Sequence, residues 1–215
     1  MLEHLRTQWA RIIGPVADLL VRLGLSPDAV TWVGTVGTVT TAAICFPRGW
    51  LWQGSLILLV FILSDSLDGT MARRSGRSSA WGAFLDSTLD RIADGAIFGG
   101  LALWYAGPGE SMLWCAVAVT ALVLGQVTSY SKARGESLGC EVHGGLAGRA
   151  DRLAVGLVGA FVTGLGVPWV LPAGLAFLSV AGAVTVGQRM LIVRRQIVAQ
   201  SAPPQGSDQP PGEPR

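Results

Sequence analysis

Charge is scarce in this chain. Asp, Glu, Lys and Arg together make up 14% of its 215 residues, while half of the residues are hydrophobic. That balance excludes an ordinary water-soluble domain and points to a polytopic membrane protein. Cysteine is almost missing. Cys45, Cys115 and Cys140 show no metal-binding or redox spacing, and no disulfide is expected, although Cys45 and Cys115 fall near the outer ends of their helices. The N-terminus has no early apolar run followed by a small-residue cleavage site, so no cleavable signal is expected. The net charge of +2 says little by itself, and no nucleic-acid partner is expected. Glycine, in contrast, is abundant at 29 residues. Small residues let apolar helices approach closely. Gly34 with Gly37, Gly95 with Gly99, and Gly156 with Gly159-Ala160 read as such contact faces.

The pattern along the chain is all-α: six transmembrane helices preceded by an interfacial amphipathic helix. Residues 1–24 place Leu5, Trp9, Ile12, Val16, Leu19 and Leu23 at helical spacing among Arg6, Arg11 and Arg22. This reads as a helix lying on the membrane, interrupted near Gly14-Pro15. Ser26-Pro27-Asp28 is a helix start, with a capping Ser, Pro in the first turn and an acid at the positive dipole end. Spans follow at about 28–46, 50–73, 79–106, 111–134, 149–165 and 169–195. The transmembrane domain is thus 25–198, and 199–215, rich in Pro, Gln, Gly and Ser, reads as a disordered tail. Basic residues gather after spans two and four and at both ends, whereas the opposite connections hold little beyond Arg48 and Glu110. The positive-inside rule then makes this a multi-pass cell-membrane protein whose termini and basic loops face the cytoplasm.

Into these apolar segments the chain inserts four acids. Asp65 and Asp68 are three residues apart, and Asp86 and Asp90 four apart, so each pair shares a helix face. Charge at membrane depth is costly and usually functional. Four facing carboxylates need a cation, and hard oxygen ligands suit Mg²⁺, Mn²⁺ or Ca²⁺. Helix capping or pairing with Arg73, Arg74, Arg77 and Arg91 is the plainer reading, but it does not account for two pairs in register. Metals that bridge a pyrophosphate would serve phosphoryl transfer. Gly69 would let backbone approach the phosphates, and Arg73 offers them a planar fork. A carboxylate not fully used by metal could take the proton of an attacking hydroxyl.

The stretch Asp65-x2-Asp68-Gly69-x2-Ala72-Arg73-x8-Gly82-x3-Asp86-x3-Asp90 matches every fixed position of the D-x2-D-G-x2-A-R-x8-G-x3-D-x3-D signature. The chain therefore resembles the CDP-alcohol phosphotransferase family. The resemblance implies that Asp65, Asp68 and Asp86 bind two Mg²⁺ or Mn²⁺ ions. Asp90 would act as the base and also touch metal. Gly69 and Arg73 would hold the diphosphate of CDP-diacylglycerol. Against the nucleotide it places Pro27-Asp28-Ala29-Val30-Thr31, with Asp28, Ala29, Val30 and Thr31 as contacts and Ser79 as a weaker one. For Asp28 and Thr31 a helix-capping role competes on even terms.

A second cluster concerns the acceptor. Lys132, Arg134, Arg149, Arg152 and Arg189 approach the rim where the acids lie. An uncharged acceptor would not require them, and a phosphorylated one would. The positive-inside bias explains Arg134 well and Arg189 poorly, because Arg189 lies about a turn inside its span. Gln126-Val-x-Ser129-Tyr130-x-Lys132-Ala133-Arg134, Gly144-Gly145 and the Arg149/Arg152 pair resemble an actinobacterial branch of the family. Its members join CDP-diacylglycerol to inositol 1-phosphate and release CMP. The resemblance thus implies a phosphatidyltransferase in lipid membranes, commonly a homodimer, with CDP-diacylglycerol and inositol phosphate as partners. One departure stands out: Gly148-Arg149-Ala150-Asp151-Arg152 occupies the place of an E-R-P-E-R run. Glycerol 3-phosphate as acceptor, as in a phosphatidylglycerophosphate synthase, is the alternative within the family. A divalent-cation transporter is the alternative outside it, and would spread its acids through the bilayer depth. A non-catalytic scaffold would need neither Gly69 nor Arg73 in register.

Overall fold

The computed structural model describes residues 14–74 and 79–200, and these are helical apart from turns and loops. Helix α1 covers 14–22, followed by α2 (Pro27–Cys45), α3 (Leu51–Arg74), α4 (Ala80–Ala106), α5 (Met112–Ser137), α6 (Arg149–Gly164) and α7 (Val170–Gln200). The six long helices fall within a few residues of the six expected segments. Gly14 and Pro15 are both helical, and the expected amphipathic residues before them lie outside the described residues.

Local chemistry sets the helix starts. Ser26 caps α2 by accepting a hydrogen bond from Ala29 N at 3.2 Å, with Pro27 in the first turn. Ser79 and Ser111 do the same for α4 and α5. At α6 the N–H of Gly148 donates to the Asp151 carboxylate at 2.8 Å, the return half of a capping box. The far end differs from expectation. Helix α7 continues to Gln200, past the expected start of the tail at 199. No helix breaker stands before Pro203, so nothing stops the helix at Val198.

The six long helices close a ring. Helix α2 packs on α3 and α4, α5 on α4 and α7, and α6 on α3 and α7. Inside it sit fully buried Leu58, Leu101, Leu171, Leu175 and Leu178. Outside it every one of these helices shows large exposed apolar side chains, including Val33, Val60, Leu103, Val123, Val158 and Val180. A surface of that kind fits hydrocarbon and not water. By length and composition α5 and α7 are apolar enough to cross a membrane. The apolar run of α3 is Leu51–Leu63, short of its acids, and α6 has only 16 residues.

Glycine contacts divide the expected faces. Gly37 lies against the Phe61 ring, Gly156 against Phe98 and Gly159 against Leu171, whereas Gly34, Gly95 and Gly99 have nothing within 4 Å of an added Cβ. The tightest backbone approaches come elsewhere. A Cβ on Gly100 would sit 2.8 Å from Ala42 O, and one on Gly164 would sit 2.6 Å from Trp52 N. Spacing alone marks a small residue but not the direction it faces.

Gly100→Ala should therefore force α2 and α4 apart and cost about 1–3 kcal/mol, as overpacking does. Gly99→Ala, one residue away and open, should be neutral or slightly stabilising. Thermal unfolding of both variants in the same detergent checks this; an equal loss in both would show that the Gly100 contact does not hold the helices together.

Candidate active site

The up-and-down ring brings the start of α2, the end of α3, the start of α4, the end of α5, the start of α6 and the second half of α7 to one end. The candidate residues all fall there. At the first junction Trp81 Nε1 of α4 donates to Asp28 Oδ2 of α2 at 3.2 Å. Thr31 Oγ1 donates back to Pro27 O at 3.1 Å, and Ser79 Oγ is occupied as the α4 cap. These candidate nucleotide contacts thus already have local structural partners. Ala29 and Val30 lie between them in the first turns of α2.

Asp65, Asp68, Gly69 and Arg73 lie on the C-terminal half of α3. The side chains expected there from Asp65, Asp68 and Arg73 lie outside the described residues. On α4 the acids form a ladder. Asp86 is exposed, Asp90 is half-buried one turn deeper, and Asp94, a further turn in, is 4% exposed. Oxygen donors at the wet end of such a ladder suit a hard divalent ion.

The first turn of α6 meets this ladder. Arg149 Nη2 lies 2.7 Å from Asp90 Oδ1, and Arg149 Nε donates to Asp94 Oδ1 at 3.2 Å. Arg152 Nη2 lies 3.5 Å from Asp94 Oδ2 and donates to Ser129 Oγ of α5 at 3.4 Å. From α4 itself, Arg91 Nη2 reaches Asp90 at 3.7 Å and Asp94 at 3.6 Å. Gln126 Nε2 of α5 donates to Arg91 O at 2.9 Å. Asp94, outside the family signature, thus joins Arg149 and Arg152 as well as its helix neighbour Arg91. The signal was present in the spacing, because Asp86, Asp90 and Asp94 recur every four residues.

The other three basic candidates differ from this pair. Arg189 is 9% exposed, and its guanidinium donates to Thr128 O of α5 and to Gly144 O at 3.2 Å. It clips the 138–148 loop to α5. Gly145 belongs to the same device: its φ is +132°, and an added Cβ would meet Thr185 at 2.6 Å. That close approach lets Leu146 N donate to Thr185 Oγ1 at 3.0 Å. Lys132 pairs with Glu136 at 3.7 Å, both about half exposed. Such an exposed i,i+4 pair is worth only about 0.3–0.5 kcal/mol, so Lys132 can leave it cheaply. Arg134 is exposed and contacts Ser137 Oγ at 3.3 Å.

Comparison with known proteins points to one family. A family model described as CDP-alcohol phosphatidyltransferase matches residues 24–187. The chain is 56% identical over 203 residues to the phosphatidylinositol phosphate synthase of Cutibacterium acnes, covering 91% of this chain and 98% of that protein. It is 49% identical over 201 residues to the enzyme of the same name from Streptomyces avermitilis, covering 90% and 82%. Among solved structures, phosphatidylinositol phosphate synthase of Mycobacterium tuberculosis with CDP-DAG bound superposes with a TM-score of 0.83. Its sequence is 42% identical, with 86% of this chain and 94% of that one covered. The same enzyme in complex with manganese and citrate gives 0.80 at 40% identity, covering 85% and 88%. With the family model spanning most of the helix ring and relatives of this identity covering nearly its whole length, the chain belongs to the CDP-alcohol phosphatidyltransferase family.

Proposed function

We propose that this enzyme transfers the phosphatidyl group of CDP-diacylglycerol to inositol 1-phosphate (1D-myo-inositol 3-phosphate), releasing CMP. The observation that carries the reading is the basic pair Arg149 and Arg152, seated by α6 against the acid ladder of α4. Similarity to the named relatives over about nine-tenths of the chain supports it. The chain would cross the cell membrane six times as a homodimer. Its acids and arginines would face the cytoplasm, where a soluble acceptor arrives.

The acceptor hydroxyl oxygen attacks the phosphorus that carries the diacylglycerol. The bond from that phosphorus to the CMP oxygen breaks, and the hydroxyl proton passes to Asp90. Asp65, Asp68, Asp86 and Asp90 would hold two Mg²⁺ or Mn²⁺ ions, which supply charge neutralisation on the diphosphate. The manganese complex of the Mycobacterium tuberculosis enzyme supports a divalent ion here. Gly69 and Arg73 would cradle the diphosphate, and Asp28 to Thr31 with Ser79 the cytidine. Arg149 and Arg152 would take the acceptor's phosphate through charge-assisted bonds, with Lys132, Arg134 and Arg189 around it. A cation pathway would need acids through the depth of the ring. Asp86, Asp90 and Asp94 instead crowd at one end, which favours the enzyme.

Asp65→Asn, Asp68→Asn and Asp86→Asn should each abolish CMP release while the protein still inserts and folds. Normal turnover in any one of them would remove that residue from the metal site. Asp90→Asn should still bind CDP-diacylglycerol and metal yet lose turnover; loss of donor binding would make Asp90 chiefly a ligand.

Purified protein with CDP-diacylglycerol, Mg²⁺ and a panel of acceptors tests the reaction itself. Inositol phosphate should be used and free inositol should be poor, because the arginines would then lack their anion. Equal use of free inositol, or strict preference for glycerol 3-phosphate, would overturn the acceptor assignment. Arg152→Gln should raise the acceptor KM roughly ten- to hundred-fold, the equivalent of one charge-assisted hydrogen bond, and leave the donor KM nearly unchanged.

A further inference from the structure

Asp94 lies outside the family signature and has no part in the function proposed above, yet it meets three arginines at the site. It is 4% exposed and stands between three guanidinium groups: Arg149 at 3.2 Å, Arg152 at 3.5 Å and Arg91 at 3.6 Å. Two of these come from α6 and one from α4, so a single carboxylate ties the two helices at the site.

The arginines are held in direction as well as place. Arg149 presents Nε to Asp94 and Nη2 to Asp90, so one planar fork spans two rungs of the ladder. Arg152 is 4% exposed and lies across α5 in a slot. Ser129 accepts from its Nη2 at 3.4 Å, and a Cβ on Gly125 would come within 3.1 Å of its Nε. Without Asp94, Asp90 alone would offset three guanidinium groups, and Arg152, 4% exposed, would lose its carboxylate partner. Their orientation would then be lost before their presence is.

We infer that Asp94 is a positioning residue: it holds Arg149 and Arg152 in the orientation that takes the acceptor's phosphate, and so sets the preference for a phosphorylated polyol. The inference rests on the function proposed above. Among these five groups, three are cationic and two anionic. Once Asp90 turns to the acceptor hydroxyl or to metal, the cationic excess over Asp94 grows by one. A phosphate dianion matches that excess, and a plain hydroxyl does not.

The test uses the full chain in nanodiscs, with CMP release measured while donor and acceptor are varied separately. Asp94→Asn keeps the shape and removes the charge. It should raise the KM for inositol phosphate about ten-fold or more, as loss of an oriented ionic contact does, while the KM for CDP-diacylglycerol stays within about two-fold. The slow turnover of free inositol should not fall, so the ratio between the two acceptors should narrow. The paired variant Arg91→Gln/Asp94→Asn removes one charge of each sign and carries the same test if the single variant does not fold. Wild-type failure on inositol phosphate would overturn the proposed function. A wild type active on it, with both KM values rising together or neither moving in the variants, would overturn the role of Asp94. If neither variant folds, Asp94 serves folding and the inference falls.

Discussion

A carboxylate or guanidinium moved from water into an apolar helix bundle loses its hydration. It stays charged there only if an opposite charge or a hydrogen-bond partner takes the place of that water. The architecture of this protein follows from that constraint. Its charged side chains cannot be scattered through the ring, so they collect at one end and compensate one another. Arg149 bridges Asp90 and Asp94, and Arg152 closes the far side of Asp94. The ring interior away from this end is filled by Leu58, Leu101, Leu171 and other apolar groups.

The same constraint allows a division of labour. Asp86 and Asp90 on α4 offer hard oxygen near the wet rim, while arginines on α6 offer planar forks beside them. Proximity of the two sets is useful for a reaction in which a metal-bound diphosphate meets a phosphorylated nucleophile. Like charges on the two substrates would otherwise keep them apart. Asp94 lies one turn deeper on α4 than Asp90 and keeps the forks aimed.

Much of this was legible in the sequence, and the reasons are local. The start of α2 could be read because Ser26 caps it by bonding three residues ahead, whereas the same role of Ser79 and Ser111 emerged only from the structure. The acid pairs could be read because Asp65 with Asp68, and Asp86 with Asp90, each keep helical spacing within one helix. What could not be read is which way a side chain turns. Gly100 faces a neighbouring backbone and Gly99 does not, although they are adjacent. The depth of Arg189 marked it as more than a positive-inside residue, but not that its guanidinium also holds the carbonyls of Thr128 and Gly144. Asp94 follows Asp86 and Asp90 at the same spacing, but its arginine partners on α6 are 55 and 58 residues away in sequence.

The central claim is that acids hold the metal and arginines hold the acceptor at one shared end. Titration of Mn²⁺ into the detergent-solubilised protein, followed by electron paramagnetic resonance, tests it without relying on turnover. Mn²⁺ affinity should fall sharply in Asp86→Asn and stay at the wild-type value in Arg152→Gln. Unchanged affinity in Asp86→Asn, or an equal loss in both variants, would contradict the account.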